Sequence, residues 1–169
     1  MKLKKAKIFK IALIAISVLI VGYALRSAVI YFSYIVPDKD YFQNQYVQVI
    51  YPTGIFDYIS AKEVIEEADT AFSTITYRET AKDKFGELGK YCVTDDAASE
   101  EHSIKLISAN LGKDKGYIWV TYYQTAYDAN ETVTFGSGSD EFIGGRILTR
   151  WEVEKINDEW VVVSIKEHP

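Results

Sequence analysis

Thirteen tyrosines and three tryptophans stand out among the side chains of this 169-residue chain. Tyr117, Tyr122, Tyr123 and Tyr127 fall in one stretch with Trp119, and Trp151 lies on a later segment of similar character. Hydroxyl donors around large apolar rings suit the lining of a small-molecule pocket. The same residues equally suit a packed aromatic core. Tyr117, Trp119, Tyr122, Tyr123 and Trp151 are therefore the candidate ligand-binding residues, with core filling as the alternative. Acid–base catalysis would need a carboxylate or imidazole among these rings. Glu152 and Glu154 alternate with Thr149, Trp151 and Val153, which places them on the opposite, watery side of their strand. His102 has no partner visible in the sequence. No catalytic residue is assigned.

Metal chemistry finds little support. The two histidines, His102 and His168, and the single Cys92 form no pair at ligand spacing. Asp95-Asp96 with Glu100-Glu101 is an oxygen-rich cluster without the order of a calcium loop, so a solvated acidic turn is expected there. Cys92, between Tyr91 and Val93, reads as a small buried hydrophobe. Gly136-Ser137-Gly138-Ser139 reads as a flexible loop, and the chain has no nucleophile elbow, phosphate loop or dinucleotide fingerprint. No cofactor and no metal are expected.

The segment with the clearest meaning is the first. Lys2, Lys4, Lys5, Lys7 and Lys10 precede an uncharged run from Ile11 to Leu25. With Ile8 and Phe9 the apolar stretch is about 18 residues, enough for a helix to cross most of a ~30 Å hydrocarbon layer. Ile11, Leu13, Ile14, Ile16, Val18, Leu19, Ile20, Val21 and Leu25 are the expected lipid-facing anchor. Cleavage would need small residues at −3 and −1. Gly22-Tyr23-Ala24 matches weakly and Arg26-Ser27-Ala28 does not, so a retained anchor is expected over a cleaved signal. Tyr31, Phe32 and Tyr34 suit the aromatic belt at headgroup depth. The lysines belong on the cytoplasmic side, which puts the remainder outside. The expected organisation is a basic tail at 1–10, an anchor with its belt at 11–36, a stalk or linker at 37–59, and an extracytoplasmic α+β domain at 60–169. Pro37 with Asp38, Lys39 and Asp40 marks the exit from the membrane.

Thirteen of the 19 basic residues follow Arg26, together with all 24 acidic ones, a net charge of −11. Such a domain is a poor partner for nucleic acid, whose binding draws on clustered lysine and arginine. An exported domain with one cysteine forms no internal disulfide, which fits a Gram-positive envelope.

Ser60-Ala61-Lys62-Glu63 has the form of a capping box, and Val64, Ile65, Ala68, Phe72 and Ile75 follow at helical spacing. A second box, Thr76-Tyr77-Arg78-Glu79, leads Tyr77, Ala81, Phe85 and Leu88, with Gly89 suited to the cap beyond. Two helices, Ser60 to Ile75 and Thr76 to Leu88, are preferred over one bent helix. From residue 103 the period falls to two. Strands are expected at Ser103 to Leu111, Tyr117 to Tyr127, around Thr132 to Phe135, Arg146 to Ile156 and Trp160 to Ile165. Asn157-Asp158 forms the last tight turn. The second strand carries apolar groups on both faces, so it must be long and curved or covered twice.

This order resembles the cystatin-like and nuclear-transport-factor-2-like group of cone-shaped α+β domains. It is similar, more narrowly, to membrane-anchored versions in bacterial envelopes, among them type IV secretion scaffold subunits and mammalian-cell-entry-associated membrane proteins. The resemblance rests on the anchor, Ala71 to Arg78, Gly89-Lys90-Tyr91 and the final hairpin from Arg150 to Val162, and it covers roughly residues 60 to 166. It implies two helices on a curved antiparallel sheet of four or more strands, often with a third helix, for which Asp95 to His102 is the available stretch. It further implies a non-catalytic scaffold that meets another envelope protein or its own copies. The group also contains ligand binders and acid–base enzymes of the ketosteroid-isomerase type.

Overall fold

The computed structural model describes residues 2–37, 45–138 and 145–167. His168, the expected exit at Asp38 to Asp40 and the loop residues Asp140 to Gly144 lie outside the described residues. The chain divides into two compact units, Met1–Tyr46 and Val47–Pro169.

In the first unit, helix α1 (Lys2–Ile30) continues into a π-helical turn at Tyr31–Ile35. Residues Lys7–Ile35 form a helix long and apolar enough, by length and composition, to cross a membrane. All nine expected anchor side chains are exposed, from Ile11 to Leu25. Its apolar residues lie on every side of the helix, unlike the one-sided stripe of a water-facing helix. Ser17 donates its hydroxyl to the Leu13 carbonyl at 2.9 Å, which removes a free donor from the apolar stretch. Beyond it the Tyr31 and Phe32 rings meet edge to face, 5.4 Å apart.

The second unit opens with a short helix α2 (Tyr46–Ile50), followed by α3 (Ile55–Phe72) and α4 (Arg78–Phe85). Helix α3 begins five residues before the expected Ser60. Pro52 and Gly54 stop it extending further back, but Ile55 to Ile59 holds nothing that breaks a helix, and Tyr58 N–H already bonds the Gly54 carbonyl at 2.9 Å. The Ser60 capping box is therefore not the helix start. Val64, Ala68 and Phe72 are buried as the periodicity predicts. Ser73 and Thr74 return their hydroxyls to the Asp69 and Thr70 carbonyls, and the chain breaks there into two helices. Ile75 leaves the helix and forms a parallel bridge to Val93.

Helix α4 has Tyr77 at its N-cap with no side-chain cap, so the Thr76 box is not made either. It ends at Gly86 (φ 55°), not beyond Leu88, because only glycine enters that region without strain. A 3-10 turn, Gly86–Tyr91, follows. There Gly89 passes so close to α4 that a Cβ would sit 2.8 Å from the Ala81 carbonyl carbon.

The sheet has five antiparallel strands: β1 (Ser99–Leu111), β2 (Lys115–Tyr127), β3 (Val133–Ser137), β4 (Ile147–Ile156) and β5 (Glu159–Glu167). The order is β1-β2-β4-β5. One edge of β2 pairs along β1, and the other is shared end to end by β4 (Lys115 to Tyr122) and β3 (Gln124 to Tyr127). Bulges at Ile107 in β1 and Val163 in β5 bend the sheet. Asn157 and Asp158 both take positive φ in the β4–β5 turn, as expected for a two-residue hairpin. Gly136 and Ser137 pair within β3, so that end of the expected loop is strand. Asp95 to His102 forms a turn and the start of β1, not a third helix.

Helix α3 crosses β1 and β5, and its Ala61, Val64, Ala68 and Phe72 join Ala81 and Phe85 of α4 against Ile118, Val120, Tyr122, Trp151 and Val153. Phe72→Ala removes a fully buried ring at the centre of this layer. It should cost ~3–5 kcal/mol in urea unfolding of the full chain followed by tryptophan fluorescence.

Candidate functional site

Alternation along β2 decides where the candidate residues go. Ile118 pairs with Trp151, Tyr122 with Ile147 and Trp119 with Arg150, and paired side chains share a face. Tyr122 and Trp151 therefore face the helices, while Tyr117, Trp119 and Tyr123 face the other way. The five do not line one pocket. That part of the expectation fails because residues an odd number apart on a strand point to opposite sides.

On the far face the rings are covered by cations. Arg150 lies over Tyr117 and Arg146 over Tyr123, each 4.8 Å from the ring centroid. Trp119 between them is fully buried. Its register neighbour Ser108 donates to the Gln48 carbonyl at 3.1 Å, and Ala109 N–H donates to Thr53 Oγ1 at 2.9 Å. Of the residues expected as a stalk, Gln48 and Thr53 are thus fastened to β1, and 47–59 belong to the second unit. Glu152 and Glu154 lie on this side, as the alternation predicts. Lys166 bonds Glu152 and holds its carboxyl below the usual range, with Arg150 adding to the effect. Glu154 pairs with Lys115 at 2.6 Å.

On the helix-facing side a carboxylate meets the aromatic cluster. Tyr91, at the end of the 3-10 turn, donates to Glu167 Oε1 at 2.6 Å, and Tyr122 donates to the same oxygen at 2.8 Å. Lys90 Nζ sits 2.7 Å from Glu167 Oε2. Trp151 Nε1–H donates to the Tyr91 hydroxyl at 3.0 Å. The Phe72 ring stacks on Tyr91, centroids 4.3 Å apart, and meets Tyr122 edge-on at 5.2 Å. Gln124, fully buried, ties the ends of α3 and the 3-10 turn to β2 by donating to the Phe72 and Tyr91 carbonyls. Burial raises both phenols above their ordinary pKa, and the neighbouring Glu167 charge raises them further. Sequence reasoning missed Glu167 and Tyr91. Both read as ends of their segments, and only the fold brings them, 76 residues apart, into contact.

His102 has partners after all. Its Nδ1 lies 2.9 Å from a Glu100 carboxylate oxygen and its Nε2 2.9 Å from Asp69 Oδ1. Asp69 is 33 residues away in sequence, on α3, which is why the pairing was not legible. The ring also lies 5.3 Å from Phe72. Cys92 is buried and burial pushes its thiol up, as suits an inert packing residue. Among the described residues no group of three or more histidine, cysteine, aspartate or glutamate side chains is arranged to hold a metal.

Two hollows lined by described residues lie beside these elements. One, of about 310 Å³, runs between α3 and the β4–β5 turn, lined by Glu63, Glu67, Asp158, Glu159, Trp160 and Val161. Burial, then the Glu159 charge, raises the Glu67 carboxyl there. A smaller hollow, of about 150 Å³, lies beside Lys115 and Arg150.

The cluster predicts an alkaline instability. Unfolded phenols ionise near pH ~10, while Tyr91 and Tyr122 stay protonated in the fold. Above that pH the folded state holds more protons than the unfolded one. Stability present below pH ~10 is therefore lost as pH rises further. Urea midpoints of the full chain should fall above pH ~10, and Tyr122→Phe should make that fall shallower. At neutral pH the same substitution removes a donor to a carboxylate and should cost ~1.5–3 kcal/mol.

Comparison with family models, curated proteins and solved structures gave no match.

Proposed function

We propose that this chain is a single-pass membrane protein whose extracytoplasmic domain is a non-catalytic scaffold, docking on another envelope protein or on its own copies. The observation that carries this reading is that the described side chains between helices and sheet spend their polar groups on one another. Phe72, Tyr91, Tyr122 and Trp151 fill the space between helices and sheet, and both phenolic protons are directed at Glu167. A site that binds a small molecule keeps its polar groups turned toward an open cavity. Here they are turned toward each other, which favours a rigid body over a receptor for a small apolar ligand. The same consumption of donors weighs against an acid–base enzyme, whose tyrosines would point at substrate.

The anchor supports the membrane part of the reading. Five lysines at one end of a lipid-facing helix favour that end inside the cytoplasm. The resemblance to nuclear-transport-factor-2-like envelope domains enters as part of this proposal. Two helices before an antiparallel sheet support it, while Asp95 to His102, the stretch available for the third helix that group often carries, is a turn and the start of β1.

Protease added to intact cells should digest residues 47–169 and leave the anchor, and protection of the domain would overturn the topology. Chemical crosslinking in intact membranes, followed by detergent extraction of the full chain, should recover a stoichiometric protein partner or a homo-oligomer. Recovery of the chain alone at every crosslinker dose would overturn the scaffold reading.

A further inference from the structure

The start of the domain carries an apolar surface that the core does not use. Ile55 and Phe56, in the first turn of α3, are 72% and 82% exposed. Tyr58 and Ile59 beside them, and Tyr51 just before, are also more than half exposed. From Gln45 to Ala61 the only charged residue is Asp57, in a chain that is 25% charged. Asp57 is half-buried in the first helical turn, where the helix dipole favours an anion. The acidity of the domain therefore stops short of this end.

The exposed side of α3 changes character along its length. It is apolar from Ile55 to Ile59, then charged from Lys62 onward through Glu63, Glu66 and Glu67, all exposed. Four residues of helix rise ~6 Å. That matches the ~5–10 Å to which an interfacial helix sinks into the headgroup and acyl boundary. Tyrosine, phenylalanine and isoleucine are the side chains such a boundary accepts.

We propose that this surface, Tyr51 with Ile55, Phe56, Tyr58 and Ile59, is a second membrane contact that seats the domain on the bilayer anchoring the chain. The occupant follows from chain continuity. The spanning helix ends at Ile35 and α2 begins at Tyr46. The eleven steps between them reach at most ~40 Å even fully extended, so the surface is never far from the membrane. With the half-buried Asp57 as its one acidic residue, the segment meets less of the repulsion that an anionic bilayer would exert on the rest of the domain. The proposal rests on reading Lys7–Ile35 as a span, and the experiment separates the two.

Full-length protein is reconstituted in vesicles of phosphatidylcholine and phosphatidylglycerol, with a fluorophore on Phe56→Cys, Glu66→Cys or Leu19→Cys in turn. Cys92 is fully buried and stays unlabelled. Nitroxide-labelled lipid should quench positions 19 and 56 but not 66, and aqueous iodide should quench position 56 severalfold more weakly than 66. Lipid quenching at 19 with iodide quenching at 56 equal to that at 66 would overturn the second contact and leave the anchor standing. Absence of lipid quenching at 19 would overturn both. Protection of 56 from iodide without lipid quenching, lost when protein is diluted in lipid, would assign the surface to a contact between copies and overturn the proposal.

Discussion

The domain depends on a central strand with no wet face. Along β2, Ile118, Trp119, Val120, Thr121 and Tyr122 are all buried, so side chains on both sides of one strand have left water. An antiparallel sheet usually buries one face and hydrates the other. Here each face needs its own cover. Helices α3 and α4 supply one, and on the other side the chain entering the domain is fastened across Ser108 and Ala109. Guanidinium groups over Tyr117 and Tyr123 complete that second layer, burying rings while keeping charge near the rim. Residues 47–54 are thereby structural parts of the domain.

The same constraint explains the carboxylate inside the helix-facing layer. Glu167 lies near the end of the last strand, where it would be costly to desolvate alone. Tyr91, Tyr122 and Lys90 meet it from the 3-10 turn and the central strand. The result joins the 3-10 turn, the central strand and the last strand around one carboxylate. Hydrogen bonds of this kind strengthen where the local dielectric is low, and become a liability if one partner is removed. Rigidity of that sort suits a scaffold.

The sequence carried the repeating features of this fold well. Period-two alternation placed Trp151, Thr149 and Val153 inside and Glu152 outside, and the Asn157-Asp158 turn was readable because few other pairs tolerate positive φ. That there are two helices was legible in the cluster of Ser73, Thr74 and Thr76, but the break falls after Phe72 and not at the expected Ile75. The helix starts were not legible. Ser60 and Thr76 had the chemistry of caps, yet α3 gained an earlier turn from Ile55 to Ile59, since nothing there opposed it. Contacts between distant segments were invisible in principle. Glu167 with Tyr91 and His102 with Asp69 carry no local signal, because each member is ordinary in its own neighbourhood. The grouping of Tyr117, Trp119 and Tyr123 with Tyr122 and Trp151 failed for a simpler reason: shared composition is not a shared face.

The proposed scaffold would act through its surface, with Phe72, Tyr91, Tyr122 and Trp151 packed against one another inside. Native mass spectrometry of the full chain, released from membranes in mild detergent, tests this most directly. The proposal predicts that no small molecule stays with the chain or its complexes once detergent and loosely held lipid are removed. A small apolar molecule retained at one per chain, and lost when Phe72 or Tyr122 is replaced by a larger tryptophan, would contradict it.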